Sequence, residues 1–206
     1  MVFMSSVDNF TYQAMQHNTQ EGNVMKIIKL LLSISLVAVI AVLLVAALAP
    51  NEYALEKEIV INKNASEVFQ YISHLKNQSN YSVWAKIDPD MKNEYRGTDA
   101  TVGFIAAWDS DHKQVGKGEQ IITRIVDGRR IDTELRFQEP FEAQDSAYMT
   151  TETISDNETK VTWGFFGKMP YPMNILLLTM DMDKEVGSSL MSSLENLKDV
   201  LEEPKS

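Results

Sequence analysis

Residues 130–137 read Arg-Ile-Asp-Thr-Glu-Leu-Arg-Phe, and their alternation decides the fold. Ile131, Thr133, Leu135 and Phe137 fall on one side of an extended chain, and Asp132, Glu134 and Arg136 on the other. Successive strand side chains point to opposite faces, so this is a strand with one dry and one wet face. Such one-sided strands belong to antiparallel sheets. Working outward, Asp127-Gly128 is a hairpin signal that joins this strand to one over 114–126. Downstream, 142–154 and 160–168 flank a turn at Asp156-Asn157, and Val161, Trp163 and Phe165 share a face. Upstream, 91–96 ends at Gly97, and 104–108 ends at the polar turn Asp109-Ser110-Asp111-His112. The stretch 53–61 alternates well enough for a first strand. Gly116 and Gly118 lie inside a strand and predict a bulge or tight bend.

The remaining period is helical. Asn64 is a helix cap with Glu67 three residues on, and Val68, Phe69, Ile72 and Leu75 then share one helical face. The polar stretch 76–90 predicts a short helix or ordered loop pinned by Tyr81 and Trp84. Beyond Pro170 and Pro172, apolar residues from Ile175 through Met182, Val186, Leu190, Leu194 and Leu197 to Leu201 recur every three or four positions. They predict one long C-terminal helix of roughly eight turns, with Gly187 a soft point. The order is strand, helix, six strands, long helix: an α+β domain of about seven strands whose apolar sheet face must be covered.

The N-terminal part differs in kind. Residues 30–49, LLLSISLVAVIAVLLVAALA, contain no charge, Asn, Gln or Pro. At the helical rise they span about 30 Å, the thickness of a bilayer core. Lys26 and Lys29 precede the run and the next basic residue is Lys57. The positive-inside rule places the N-terminus in the cytoplasm and the main domain outside, periplasmic in a bacterium. A cleaved signal peptide is the competing reading, disfavoured by the long apolar run and by Pro50 directly after Ala47-Leu48-Ala49. The organisation is therefore a leader over 1–25, disordered or a misassigned start, a transmembrane anchor over 26–49, and a domain over 53–202.

Composition excludes several classes. The chain has no cysteine, so thiol chemistry and disulfides are absent. Its net charge of −10 repels phosphates, which argues against nucleic acid as a partner. His17, His74 and His112 have no metal-building spacing. Asp181 and Asp183 point about 200° apart around a helix, and Asp88 and Asp90 flank a proline, so both pairs read as surface or capping carboxylates. No nucleophile motif and no phosphate-cradling glycine loop occurs. Neither a metal nor a cofactor is expected.

The element order resembles the START-like, polyketide cyclase/dehydratase-like (SRPBCC) superfamily. The resemblance is carried by Ile59-Val60-Ile61 followed by Ala65-Ser66-Glu67-Val68-Phe69, by Trp84 with Asp88-Pro89-Asp90-Met91-Lys92, and by Val115-Gly116-Lys117-Gly118. Val161-Thr162-Trp163, Met180-Asp181-Met182-Asp183-Lys184 and Leu194-Glu195-Asn196-Leu197-Lys198 complete it, over roughly residues 53–202. The resemblance implies the helix-grip fold, a curved antiparallel sheet around a C-terminal helix. It also implies a cavity between the two for a hydrophobic small molecule or lipid. Cyclase activity is not implied, because the superfamily holds carriers and sensors as well as enzymes.

Candidates to line such a cavity are Trp84, Phe104, Trp108, Leu135, Phe137, Tyr148, Trp163, Phe165, Met182 and Val186. Cores and apolar pockets use the same residue types, and each is more often plain core than ligand contact. Tyr148, Glu134 and Arg136 are the polar groups expected to orient a ligand. Alternation sets Glu134 and Arg136 opposite Leu135, so only one of the two sets faces the pocket. The leading expectation is a membrane-anchored extracytoplasmic domain that binds a hydrophobic molecule without chemistry. The alternatives are a cyclase- or dehydratase-type enzyme, favoured by a buried ionisable group in the cavity, and a protein-interaction module, favoured by an exposed apolar patch.

Overall fold

The computed structural model describes residues 4–203, with side chains described from Met25 onward. It divides into two compact units, 1–49 and 50–206. The first is helix α1 (Met4–Leu48). Its stretch Met25–Leu48 is long and apolar enough to cross a membrane or to serve as a signal sequence. The helix runs without a break from Met4.

The second unit is built on one seven-stranded sheet, wholly antiparallel, in the order β1-β7-β6-β5-β4-β3-β2. Its strands are β1 (Glu52–Ile61), β2 (Lys92–Arg96), β3 (Ile105–Asp109), β4 (Lys117–Val126), β5 (Arg130–Glu139), β6 (Ala143–Ser155) and β7 (Glu158–Lys168). The turns Asp127-Gly128 and Asp156-Asn157 join β4 to β5 and β6 to β7, where the sequence places them. Gly128 has φ +68°, the left-handed value such a hairpin turn requires. Three short helices, α2 (Ala65–Ser73), α3 (Gln78–Tyr81) and α4 (Val83–Ile87), link β1 to β2. Asn64 caps α2 by accepting from the Glu67 N–H at 2.9 Å.

The C-terminal segment corrects the expectation of one helix starting at Ile175. A separate 3-10 turn spans Met173–Leu178. The main helix starts only at Met182, passes through a π-helical turn over Asp183–Gly187, and continues as α5 (Ser188–Glu202). Asp181 Oδ1 accepts from the Lys184 N–H at 3.2 Å and so restarts the helix as a cap. Asp183 reaches Lys57 of β1 at 2.7 Å, and Gly187 leaves the room this pair occupies: a Cβ there would sit 2.7 Å from Asp183 Oδ1. The soft point at Gly187 is thus the end of the π turn.

The core follows from the alternation. Ile61, Ile122, Ile131, Met149, Val161 and Trp163 from the inner sheet face pack with Val68, Phe69 and Ile72 of α2 and with Leu190, Leu194, Leu197 and Leu201 of α5. Tyr81 is fully buried, with its ring edge-on to Trp163 at 6.0 Å. Asn196 donates to the Tyr81 carbonyl at 2.9 Å, and the Val83 N–H donates to Ser193 at 3.1 Å. The stretch 76–90 is therefore pinned to α5, as its rings suggest. Two register shifts, at 117/118 and 122/124 of β4, add twist to the sheet. The second leaves Thr123 unpaired and changes parity: Gln120 and Ile122 face inward, and beyond the bulge it is Ile125 that packs on the core.

Candidate functional site

One half of the inner sheet face is packed solid; the other is hollow. Along β5, Ile131 and Thr133 are buried in the core, whereas Leu135 and Phe137, on the same face, line a cavity. Along β7 the change comes between Val161, which is fully buried, and Phe165, which lines the cavity; Trp163 touches both. The volume is about 380 Å³, within the usual range for small-molecule sites. Met182, Val186 and Leu190 close it from the C-terminal helix, and Trp84 and Met91 close it from the segment around α4.

Eight of the ten sequence candidates line this space: Trp84, Trp108, Leu135, Phe137, Trp163, Phe165, Met182 and Val186. Phe104 does not. It is 1 % exposed and stacks on Tyr95 at 6.1 Å, as core outside the cavity. Tyr148 does not line it either. Its neighbours Ala147 and Met149 are buried, so alternation turns Tyr148 to the outer face. There its ring lies over Gly164, its strand partner, with the Arg130 guanidinium 3.8 Å from the ring centre. Because Leu135 faces the cavity, Glu134 and Arg136 are on the outer face as well, in ion pairs that also include Glu119. None of the three polar groups expected to orient a ligand therefore faces the space.

The polar residues that line it include Asp145 and Tyr53, with Gln78, Asn93, Gln114 and Gln120. Asp145 is 5 % exposed and its Oδ1 has no hydrogen-bond partner among the described residues. Gly167, paired with it across β6 and β7, makes its position possible: a Cβ at 167 would sit 1.8 Å from that oxygen. Burial holds the Asp145 carboxyl above the ordinary carboxylate value, partly offset by the hydrogen bond from Tyr53. Burial, with the carboxylate beside it, raises the Tyr53 hydroxyl as well. By contrast, Gln120 is satisfied, donating to Thr133 Oγ1 at 3.0 Å. The Trp108 indole donates to the Val115 carbonyl at 3.2 Å, and its ring meets Phe137 edge-on at 5.8 Å, which fixes one wall. Gly118 lies against that ring, where a Cβ would be 2.7 Å from it.

Two signals could have revealed Asp145 in the sequence. It shares parity with Ala147 and Met149, and it is a charge on an otherwise dry face. Tyr53 carried no such signal, because β1 also places Lys57 on its inner side. The histidines are elsewhere: His74 Nδ1 lies 2.8 Å from the Gln70 carbonyl, and His112 accepts from the Gln114 N–H. The side chain of His17 lies outside the described residues. Asp88 accepts a short hydrogen bond from Ser110. Among the described residues, no group of three or more His, Asp or Glu is placed to hold a metal ion.

Comparison with known proteins adds the fold. No protein-family profile and no curated protein matches the chain. Among solved structures, a structural-genomics target from Nitrosospira multiformis superimposes with TM-score 0.51 at 14% identity, over 71% of this chain and 94% of its own. One from Chromobacterium violaceum gives 0.51 at 15% identity, over 75% and 99%. One from Rhizobium loti gives 0.50 at 19% identity, over 72% and 96%. The fold is the helix-grip fold. At such identities the likeness speaks for architecture alone, so the function rests on the helix-grip cavity itself.

Proposed function

We propose that this helix-grip domain binds a hydrophobic small molecule or lipid in the cavity between its sheet and C-terminal helix. The N-terminal helix would hold it at a membrane with the domain on the outer side, in keeping with Lys26 and Lys29 before the apolar run. One observation carries the reading: a space of about 380 Å³, walled by aromatic and aliphatic side chains, contains one charged side chain, Asp145. One oxygen of the carboxylate has no partner among the described residues, and an unpaired buried acceptor is costly. A ligand with an apolar body and a terminal hydroxyl or amine would fill the walls and donate to Asp145.

The test is native mass spectrometry of the full chain released from detergent, followed by extraction of whatever it carries. An apolar adduct is expected in the parent. It is absent from Ala147→Trp, which fills the cavity, while Ala147→Ser retains it. If parent and Ala147→Trp bind a fluorescent apolar probe such as N-phenyl-1-naphthylamine equally well, the cavity is not the site.

The same carboxylate supports a second reading, an enzyme of the cyclase or dehydratase kind. A buried acid with raised pKa, beside a tyrosine hydroxyl and facing an apolar space, is equipped to move a proton. Turnover of an extracted ligand by the parent, lost in Asp145→Asn even at saturating ligand, would select it over simple carriage.

A further inference from the structure

We propose that the end of the helix-grip domain nearest the apolar helix rests on the bilayer surface through the uncharged segment 169–180 and Phe141, a second membrane contact besides the helix. The proposal rests on the reading of Met25–Leu48 as a membrane span. Residues 169–180 read MPYPMNILLLTM, twelve positions without a charge in a chain of net charge −10. The exposed side chains are large and apolar: Tyr171 is 56 % exposed, Met173 54 %, Leu178 53 % and Met180 40 %. Phe141, in the β5–β6 turn, is 79 % exposed.

Connectivity fixes where these residues lie. Pro50 and Asn51 follow the apolar run directly, and the segment is tied to both. The Met169 N–H donates to the Asn51 carbonyl at 2.9 Å, and Asn174, 2 % exposed, donates to the Pro50 carbonyl at 3.5 Å. Phe141 is at the same end, because β6 pairs Asp145 with Gly167 and β7 pairs Lys168 with Glu52. A residue spans at most about 3.6 Å of extended chain, so the end of a membrane helix is within about 10 Å of this surface. An apolar surface of this kind marks an interaction site, and the surface that covalent connection brings to it is the bilayer. Aromatic rings and aliphatic side chains at that depth match an interfacial seat. The opposite end of the sheet, at Ile154, is about 30 Å away along ten paired positions of β1 and β7.

The absence of cysteine makes the test direct. Leu178→Cys, Phe141→Cys, Ile154→Cys and Leu36→Cys are each labelled with the environment-sensitive fluorophore NBD in the full chain. Each is then reconstituted into phosphatidylcholine vesicles, with and without doxyl-labelled phosphatidylcholine. Labels at 178 and 141 are expected to emit at shorter wavelength and to be quenched by shallow doxyl groups, the label at 36 to be quenched by deep ones, and the label at 154 to stay water-like. Quenching at 36 with water-like emission at 178 overturns the docking while leaving the span intact. No quenching at 36 overturns the span, and the docking with it. A blue shift at 178 that doxyl lipid does not quench means that protein, a second copy included, covers the segment, and also overturns the proposal. Met173→Cys repeats the readout should Leu178→Cys fold poorly.

Discussion

Asp145 is the residue on which the chemistry of the cavity turns, and its effect on stability has a definite sign. Burial raises its carboxyl above the ordinary value of 3.8, so the folded protein holds the proton more tightly than the unfolded chain. Stability then falls as pH rises from the unfolded value through the folded one, and the penalty is fully present above that window. Asp145→Asn is expected to raise Tm at neutral pH, with the gain vanishing below about pH 3.8. Thermal melts across pH read this directly; a gain independent of pH would mean that ionisation is not the cause. The same variant should weaken a ligand that donates a hydroxyl or ammonium to the carboxylate by about tenfold or more, the usual size of a charged hydrogen bond. Gly167→Ala places a methyl in the space of Asp145 Oδ1 and is expected to cost about 1–3 kcal/mol by denaturant titration.

At the scale of elements, α5 is held by its leucines and its start by polar contacts of smaller weight. Leu194 is fully buried between sheet and short helices, so Leu194→Ala should cost roughly 2–5 kcal/mol in urea unfolding. The Lys57–Asp183 pair has a side chain two-thirds exposed on the Asp183 side, and exposed pairs contribute little. Lys57→Met should therefore change stability by less than about 1 kcal/mol. A larger loss would mean that the π turn depends on this ion pair. The period of apolar residues from Ile175 to Leu201 is helical throughout, yet the chain breaks at 179–181. The pattern records which residues are apolar, whereas the break is made by the Asp181 cap and by the docking of Asn174 against Pro50.

For the whole molecule, the helix-grip domain has its own core and sheet, in a compact unit distinct from the apolar helix. Alkaline carbonate extraction is expected to leave the full chain in the membrane fraction. A reporter fused after Ser206 is expected to be active on the outer side, the orientation proposed from Lys26 and Lys29. Release of an intact domain without the helix would show a cleaved signal instead. Both the cavity and the 169–180 segment lie toward the end of the sheet where β1 begins and β7 ends, so the proposed ligand and the proposed membrane contact share one side of the domain.

Much of this was legible in the chain. Period two over 131–137 gave a one-faced strand, Asp127-Gly128 a hairpin, Asn64 with Glu67 a capped helix, and the order of elements a helix-grip domain. These are local properties: a strand's alternation and a turn's backbone demand are written within a few residues. Eight of the ten candidates named from the sequence line the cavity, because apolar pockets are lined by the same side chains that fill cores. Which of them met empty space was decided by tertiary packing. Phe104 and Trp108 look alike in sequence, yet one stacks on Tyr95 in the core while the other walls the cavity beside Gly118. The pairing of Asp145 with Tyr53 joins residues 92 positions apart and exists only once β1, β7 and β6 lie side by side. Local sequence determines which faces are dry; only the assembled sheet and helix determine where those faces fail to meet, and what polar group is left inside.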